Sequence, residues 1–165
     1  MKIIVALSKN YGIGLNNKLP WKIRHDLIYF KNNTIGNGNN AILMGKNTWN
    51  SLPKKPLPNR MNCVLSTSLN LDTKNSKSFK NSKDFDDYIE KNNYDDVWVI
   101  GGEKIYNKYI YHPKVNELYI TKIGNNILCD TYFPEIPFYF ELSETSKTYN
   151  QKNIQFCFEI YKKNI

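Results

Sequence analysis

Short β-branched apolar runs alternating with helical patterns constrain this chain most. The runs are "KIIVAL" (2–7), "AILM" (41–44), "NCVLS" (62–66), "VWVI" (97–100) and "NELYIT" (116–121). Most are continuous, as strands buried on both faces of a sheet require. Helical spacing falls between them, around 25–33, just after Gly45, over 83–92 behind a Ser82 cap, and over 103–110. This order predicts an α/β fold with a largely parallel sheet. The tail differs: "IQFCFEIY" (154–161) alternates Ile154, Phe156, Phe158 and Ile160 with a period of two. It is expected to form an antiparallel hairpin with the run at 138–146, while the polar stretch 67–84 reads mainly as a surface connection.

At 165 residues the chain is expected to be one domain, 1–165, able to bury a sizeable core. No apolar run approaches the ~20 residues that span a bilayer, and "IIVAL" is too short for a signal peptide. The odd set Cys63, Cys129 and Cys157 lacks metal-ligand spacing and fits reduced thiols in a cytoplasmic setting. Two histidines, His25 and His112, are too few for a His-based metal site. A net charge of +8 would suit an anionic partner, but the lysines are scattered, which argues against a nucleic-acid surface. Arginine occurs only at positions 24 and 60, so a retained Arg60 suggests a need for its planar fork.

One carboxylate is out of place. Ile23, Leu27, Phe30 and Thr34 share a helical face, and Asp26 lies at the edge of that stripe. Desolvation there is costly unless the acid is paired, protonated or used. The simpler alternative is a helix N-cap. Immediately before it runs "ALSKNYGIGLNNKLPW" (6–21), a glycine-punctuated loop ending in an indole, without the third glycine of a dinucleotide-binding turn. Further on, Gly45, Lys46 and Thr48 open a short helix, Ser66 and Thr67 end a strand, and Gly101-Gly102 precede another helix. Each is a position where backbone amides or hydroxyls can approach a phosphate.

The block "GIGLNNKLPWKIRHDLIYFKNNT" resembles the first third of dihydrofolate reductases. "AILMGKNTWNSLP", "PLPNR", "VLST", "VIGGEKIYNKYI", "LYIT" and "CDTYFP" follow in that family's order across essentially the whole chain. The resemblance implies a single-domain fold with a twisted, mostly parallel sheet of about eight strands, flanked by helices. It also implies NADPH-dependent reduction of dihydrofolate. Asp26 would assist protonation of the pterin, in a pocket of Ile4, Val5, Leu27, Phe30 and Ile100 that raises its pKa. Thr121 would bond that carboxylate, Trp21 would help hold a water, and Arg60, with Lys31 nearby, would grip the substrate's glutamate tail.

By the same resemblance, NADPH would meet Ala6, Ile13 and Gly14 at its nicotinamide end. Gly45, Lys46, Asn47, Thr48, Leu65, Ser66 and Thr67 would line its phosphates, and Lys46, Ser66 and Thr67, with Lys104 across the groove, would meet the one on the adenosine ribose. Ile100, a cis-linked Gly101–Gly102 pair, Glu103, Lys104, Ile105 and Tyr106 would line the remainder. Many relatives carry arginine where this chain has Lys46, and arginine or lysine where it has Lys104, so phosphate would be met by point charges. Asp130 matches a residue that supports the mobile loop. The implied ligands are dihydrofolate and antifolate inhibitors, with no metal, nucleic acid or membrane, and a monomer is expected. A reductase domain of riboflavin synthesis shares the fold but should lack the "LPW…D" block.

Overall fold

The computed structural model describes residues 1–164. Strands β1 (Lys2–Leu7), β3 (Ala41–Gly45), β4 (Met61–Leu65), β6 (Val97–Gly101) and β7 (Glu117–Ile123) realise the apolar runs. With β2 (Gly12–Gly14), β5 (Ser76–Phe79), β8 (Thr131–Tyr132), β9 (Phe140–Thr145), β10 (Tyr149–Gln151) and β11 (Ile154–Lys163) they form two sheets. The main sheet runs β10-β11-β7-β1-β6-β3-β4-β5, with β9 on β11, nine strands in all; β2 pairs with β8 separately. From β7 to β5 every neighbour is parallel, and only β11 with its partners β7, β9 and β10 is antiparallel. The expected mostly parallel α/β sheet is therefore what the chain forms.

Among the described residues four helices cover it: α1 (Arg24–Ile35), α2 (Lys46–Ser51), α3 (Ser82–Lys91) and α4 (Glu103–Tyr109). Alternation along β1 divides the core. Ile3, Val5 and Leu7 pack with Phe85 of α3 and Tyr106 and Tyr109 of α4, while Ile4 packs with Trp98, Trp49 of α2, and Tyr29 and Phe30 of α1. Each large apolar side chain buried this way contributes about 1.5–3 kcal/mol.

Several expectations change. Helix α3 is capped by Asn81, whose side chain accepts from the Asp84 N–H, so Ser82 is already inside the helix. The connection 67–84 contains β5, which pairs in parallel with β4; its Ser-Lys-Ser-Phe sequence is too polar to announce a strand, yet Ser76 and Phe79 are buried. The tail does pair with β9, but its tight hairpin is with β10, across Lys152 and Asn153, both at positive φ.

Candidate active site

The carboxyl ends of β1, β3, β4 and β6 lie along one edge of the parallel sheet, the edge where open α/β folds bind ligands. There β1 delivers Ala6, β3 Gly45, β4 Leu65, and β6 Ile100 and Gly101. In the β1–β7 register Ala6 is paired with Thr121.

Helix α1 buries most of the face that its apolar spacing suggests, with Asp26 added to it and Leu27 at its open margin. Leu27 is 47% exposed, whereas Asp26 is only 8% exposed, and Thr34 is fully buried. Tyr29 of the same helix stacks on Phe158 of β11 with ring centroids 3.9 Å apart, and β11 pairs with β7, the strand that carries Thr121. The Thr121 hydroxyl donates to Asp26 Oδ1 over 2.6 Å. Burial raises the Asp26 pKa, a shift that the Thr121 bond and nearby His25 only partly offset. Asp26 is not the N-cap; Ile23 occupies that position and makes no side-chain cap. Ile4 and Val5 are buried on β1, Phe30 and Ile100 are half-buried, and Lys31 is exposed. Trp21 is buried with Ile23 and Phe158, and its indole N–H has no protein acceptor among the described residues.

Arg60 is 5% exposed, yet no carboxylate pairs with it among the described residues. Its Nε donates to the Pro58 carbonyl at 2.8 Å and one terminal nitrogen to Thr34 Oγ1 at 3.0 Å. These bonds aim the fork and leave its charge uncompensated, so the geometry suits an external anion. Sequence reasoning missed Thr34 in this role; the available signal was a hydroxyl in an apolar stripe, which itself donates to the Phe30 carbonyl.

Lys46, exposed at the start of α2, donates to Ser68 Oγ at 2.7 Å. The Ser66 hydroxyl accepts from the N–H groups of Ser68 and Leu69, shaping a polar turn beneath that ammonium. Ser68 was not anticipated, although it continues the Ser66-Thr67 hydroxyl run. Asn47, Thr67 and Lys104 are exposed, and Thr48, Leu65, Glu103 and Ile105 are half-buried. The Gly101–Gly102 bond is cis and Gly101 has φ +125°. A Cβ there would lie 3.3 Å from the Tyr106 ring, so glycine suits both this φ and the close approach of that ring. Tyr106 is buried, donates to the Ile4 carbonyl at 2.9 Å, and packs edge-on to Phe133.

The loop after β1 is held on one side. Gly12 and Gly14 pair with Tyr132 and Thr131, and Ile13 between them is buried. Asn16 and Asn17, both at positive φ, make a two-residue turn between Leu15 and Lys18. Asp130 clasps it twice: its N–H donates to the Gly14 carbonyl at 2.9 Å, and its carboxylate accepts from the Asn16 N–H at 3.0 Å.

Comparison with known proteins matches residues 1–163 to a family model described as dihydrofolate reductase. The chain belongs to the dihydrofolate reductase family. A dihydrofolate reductase from Buchnera aphidicola is 37% identical over 164 residues, 97% of each chain. One from Sus scrofa is 35% identical over 184 aligned positions, covering 99% of this chain and 98% of the relative. One from Drosophila melanogaster is 37% identical over 145 residues, 82% of this chain and 79% of the relative. Dihydrofolate reductases are oxidoreductases that use a nicotinamide cofactor. Among the described residues no helix is long and apolar enough to cross a membrane.

Proposed function

We propose that the chain reduces 7,8-dihydrofolate to 5,6,7,8-tetrahydrofolate with NADPH, and that Asp26 assists protonation of the pterin. One observation carries this reading: a buried carboxylate, bonded among the described residues only to the Thr121 hydroxyl, near the carboxyl ends of the parallel strands. NADPH supplies the hydride. The chain supplies the proton's path and the fit of both ligands.

Burial makes Asp26 easier to protonate than an exposed carboxylate, so it can hold a proton and share it with a ring nitrogen beside it. Its carboxylate also matches the paired donors of a pterin's amino and amide edge. The unpartnered Trp21 N–H can retain a water on the approach to this acid. Arg60, already aimed by Thr34 and Pro58, suits the α-carboxylate of the glutamate tail, and Lys31 adds a diffuse positive charge.

The donor set also fits NADPH. Open backbone at Gly101–Gly102 allows close approach of the diphosphate, and Gly45, Asn47 and Thr48 begin α2 alongside. Lys46 with Ser66, Thr67 and Ser68 suits the phosphate on the adenosine ribose. Ala6, Ile13 and Gly14 present backbone at the other end, towards the nicotinamide.

Every residue in this reading comes from one chain, so a monomer suffices. The free thiols Cys63, Cys129 and Cys157 suit a reducing cytoplasm. The test is loss of NADPH absorbance on adding dihydrofolate, blocked by an antifolate; a protein that binds both ligands without oxidising NADPH contradicts the proposal.

A further inference from the structure

Strand β8 has two sides. Towards β2, the N–H groups of Asp130 and Phe133 donate to the carbonyls of Gly14 and Tyr11, both at 2.9 Å. On the other side the Tyr132 N–H donates to Glu103 Oε1 at 3.3 Å. A glutamate opening a helix often serves only that helix. Here its carboxylate instead reaches a main-chain group 29 residues away, immediately after the Gly101–Gly102 turn.

Whatever holds β8 also holds the loop, because the two are moulded together. A Cβ on Gly12 would lie 2.3 Å from Cys129 Sγ, and one on Gly14 would lie 2.8 Å from Thr131 Oγ1. The Tyr132 hydroxyl donates to the Cys129 carbonyl at 2.9 Å, tightening the same turn. A shift in β8 therefore moves the backbone of Gly12–Gly14.

We propose that Glu103 is a positioning residue that ties β8, and through it the loop over the nicotinamide end, to the glycine turn that receives the cofactor's diphosphate. The proposal rests on the cofactor reading above. One carboxylate does two opposed things: its oxygen fixes the loop's support, and its charge repels the incoming phosphates. It thereby keeps the loop ordered while weakening cofactor retention, which favours release after turnover.

Two substitutions separate these effects. Glu103→Gln keeps an acceptor for the Tyr132 N–H and removes the charge, whereas Glu103→Ala removes both. Hydrogen exchange on the ligand-free protein should show Tyr132 protected in wild type and Glu103→Gln. In Glu103→Ala its protection should fall by roughly tenfold, the loss of one such bond, with Gly12–Gly14 following. Titration of tryptophan fluorescence with NADPH should give affinity tightened by about threefold in Glu103→Gln, as expected for removing one screened like charge, and by less in Glu103→Ala, where the loop's support is lost with the charge. Unchanged Tyr132 exchange in Glu103→Ala, or unchanged NADPH affinity in Glu103→Gln, overturns the proposal. If wild type itself fails to bind NADPH, the cofactor reading falls, and the exchange data still judge the tie.

Discussion

The Thr121 hydroxyl and the Asp26 carboxylate meet at 2.6 Å although 95 positions separate them in sequence. The bond joins the middle of β7 to the first turn of α1 and favours the ionised acid, against a larger opposing effect of burial. Thr121→Val keeps the shape and deletes the donor, so the Asp26 pKa should climb further. The pH at which activity declines should then move upward; a midpoint that stays or moves down contradicts the assignment.

The same shift has a consequence for the fold. Burial raises the folded-state pKa of Asp26 above its unfolded value, so protonation favours the folded chain. That stability is complete below the ordinary carboxylate range and is lost as pH rises through the raised value. Asp26→Asn should therefore melt at a higher temperature than wild type in alkaline buffer, with the gap narrowing in acid. Thermal melts across pH would show it; a gap independent of pH would refute it.

Arg60→Ala should raise KM for dihydrofolate by the equivalent of about 2–3 kcal/mol, the worth of a charge-assisted bond. NADPH affinity should hardly change. Some stability is also lost, since Arg60 is buried and bonded to Thr34 and Pro58. Arg60→Lys should restore charge without the two-pronged geometry and recover only part of the substrate affinity. Damage confined to NADPH would assign Arg60 to the other ligand.

Lys46→Ala should raise KM for NADPH and leave that for NADH nearly untouched. Because Lys46 is exposed, wild-type preference for NADPH should weaken steeply with salt. Ser68→Ala should share the direction with a smaller effect, since it frees the ammonium that Ser68 holds at 2.7 Å. Equal harm to both cofactors would place Lys46 at the shared diphosphate instead.

Buried strands were plain in the sequence because both faces of β1, β3, β4 and β6 are apolar. Elements without that signature stayed hidden. Strand β5 is mostly polar, and β2 and β8 are glycine-containing or two residues long, held by main-chain bonds that carry no side-chain pattern. Asp26 was legible because a carboxylate beside an apolar stripe is conspicuous. Its neighbours were less so: Leu27 of the same stripe is 47% exposed, and Tyr29 stacks on Phe158 from the far end of the chain. Thr34 and Ser68 left only a faint local signal, a hydroxyl in an apolar stripe and one more in a hydroxyl run, and the Glu103–Tyr132 bond left none.

The decisive measurement is the single-turnover rate of hydride transfer across pH, in wild type and Asp26→Asn. Wild type should slow as pH rises through the raised pKa of Asp26, because the protonated acid is the useful form. The variant should fold and bind both ligands, yet transfer hydride roughly 10²–10⁴-fold more slowly at neutral pH, the range for loss of a positioned general acid. Near wild-type transfer in Asp26→Asn at neutral pH would contradict the role given to this carboxylate.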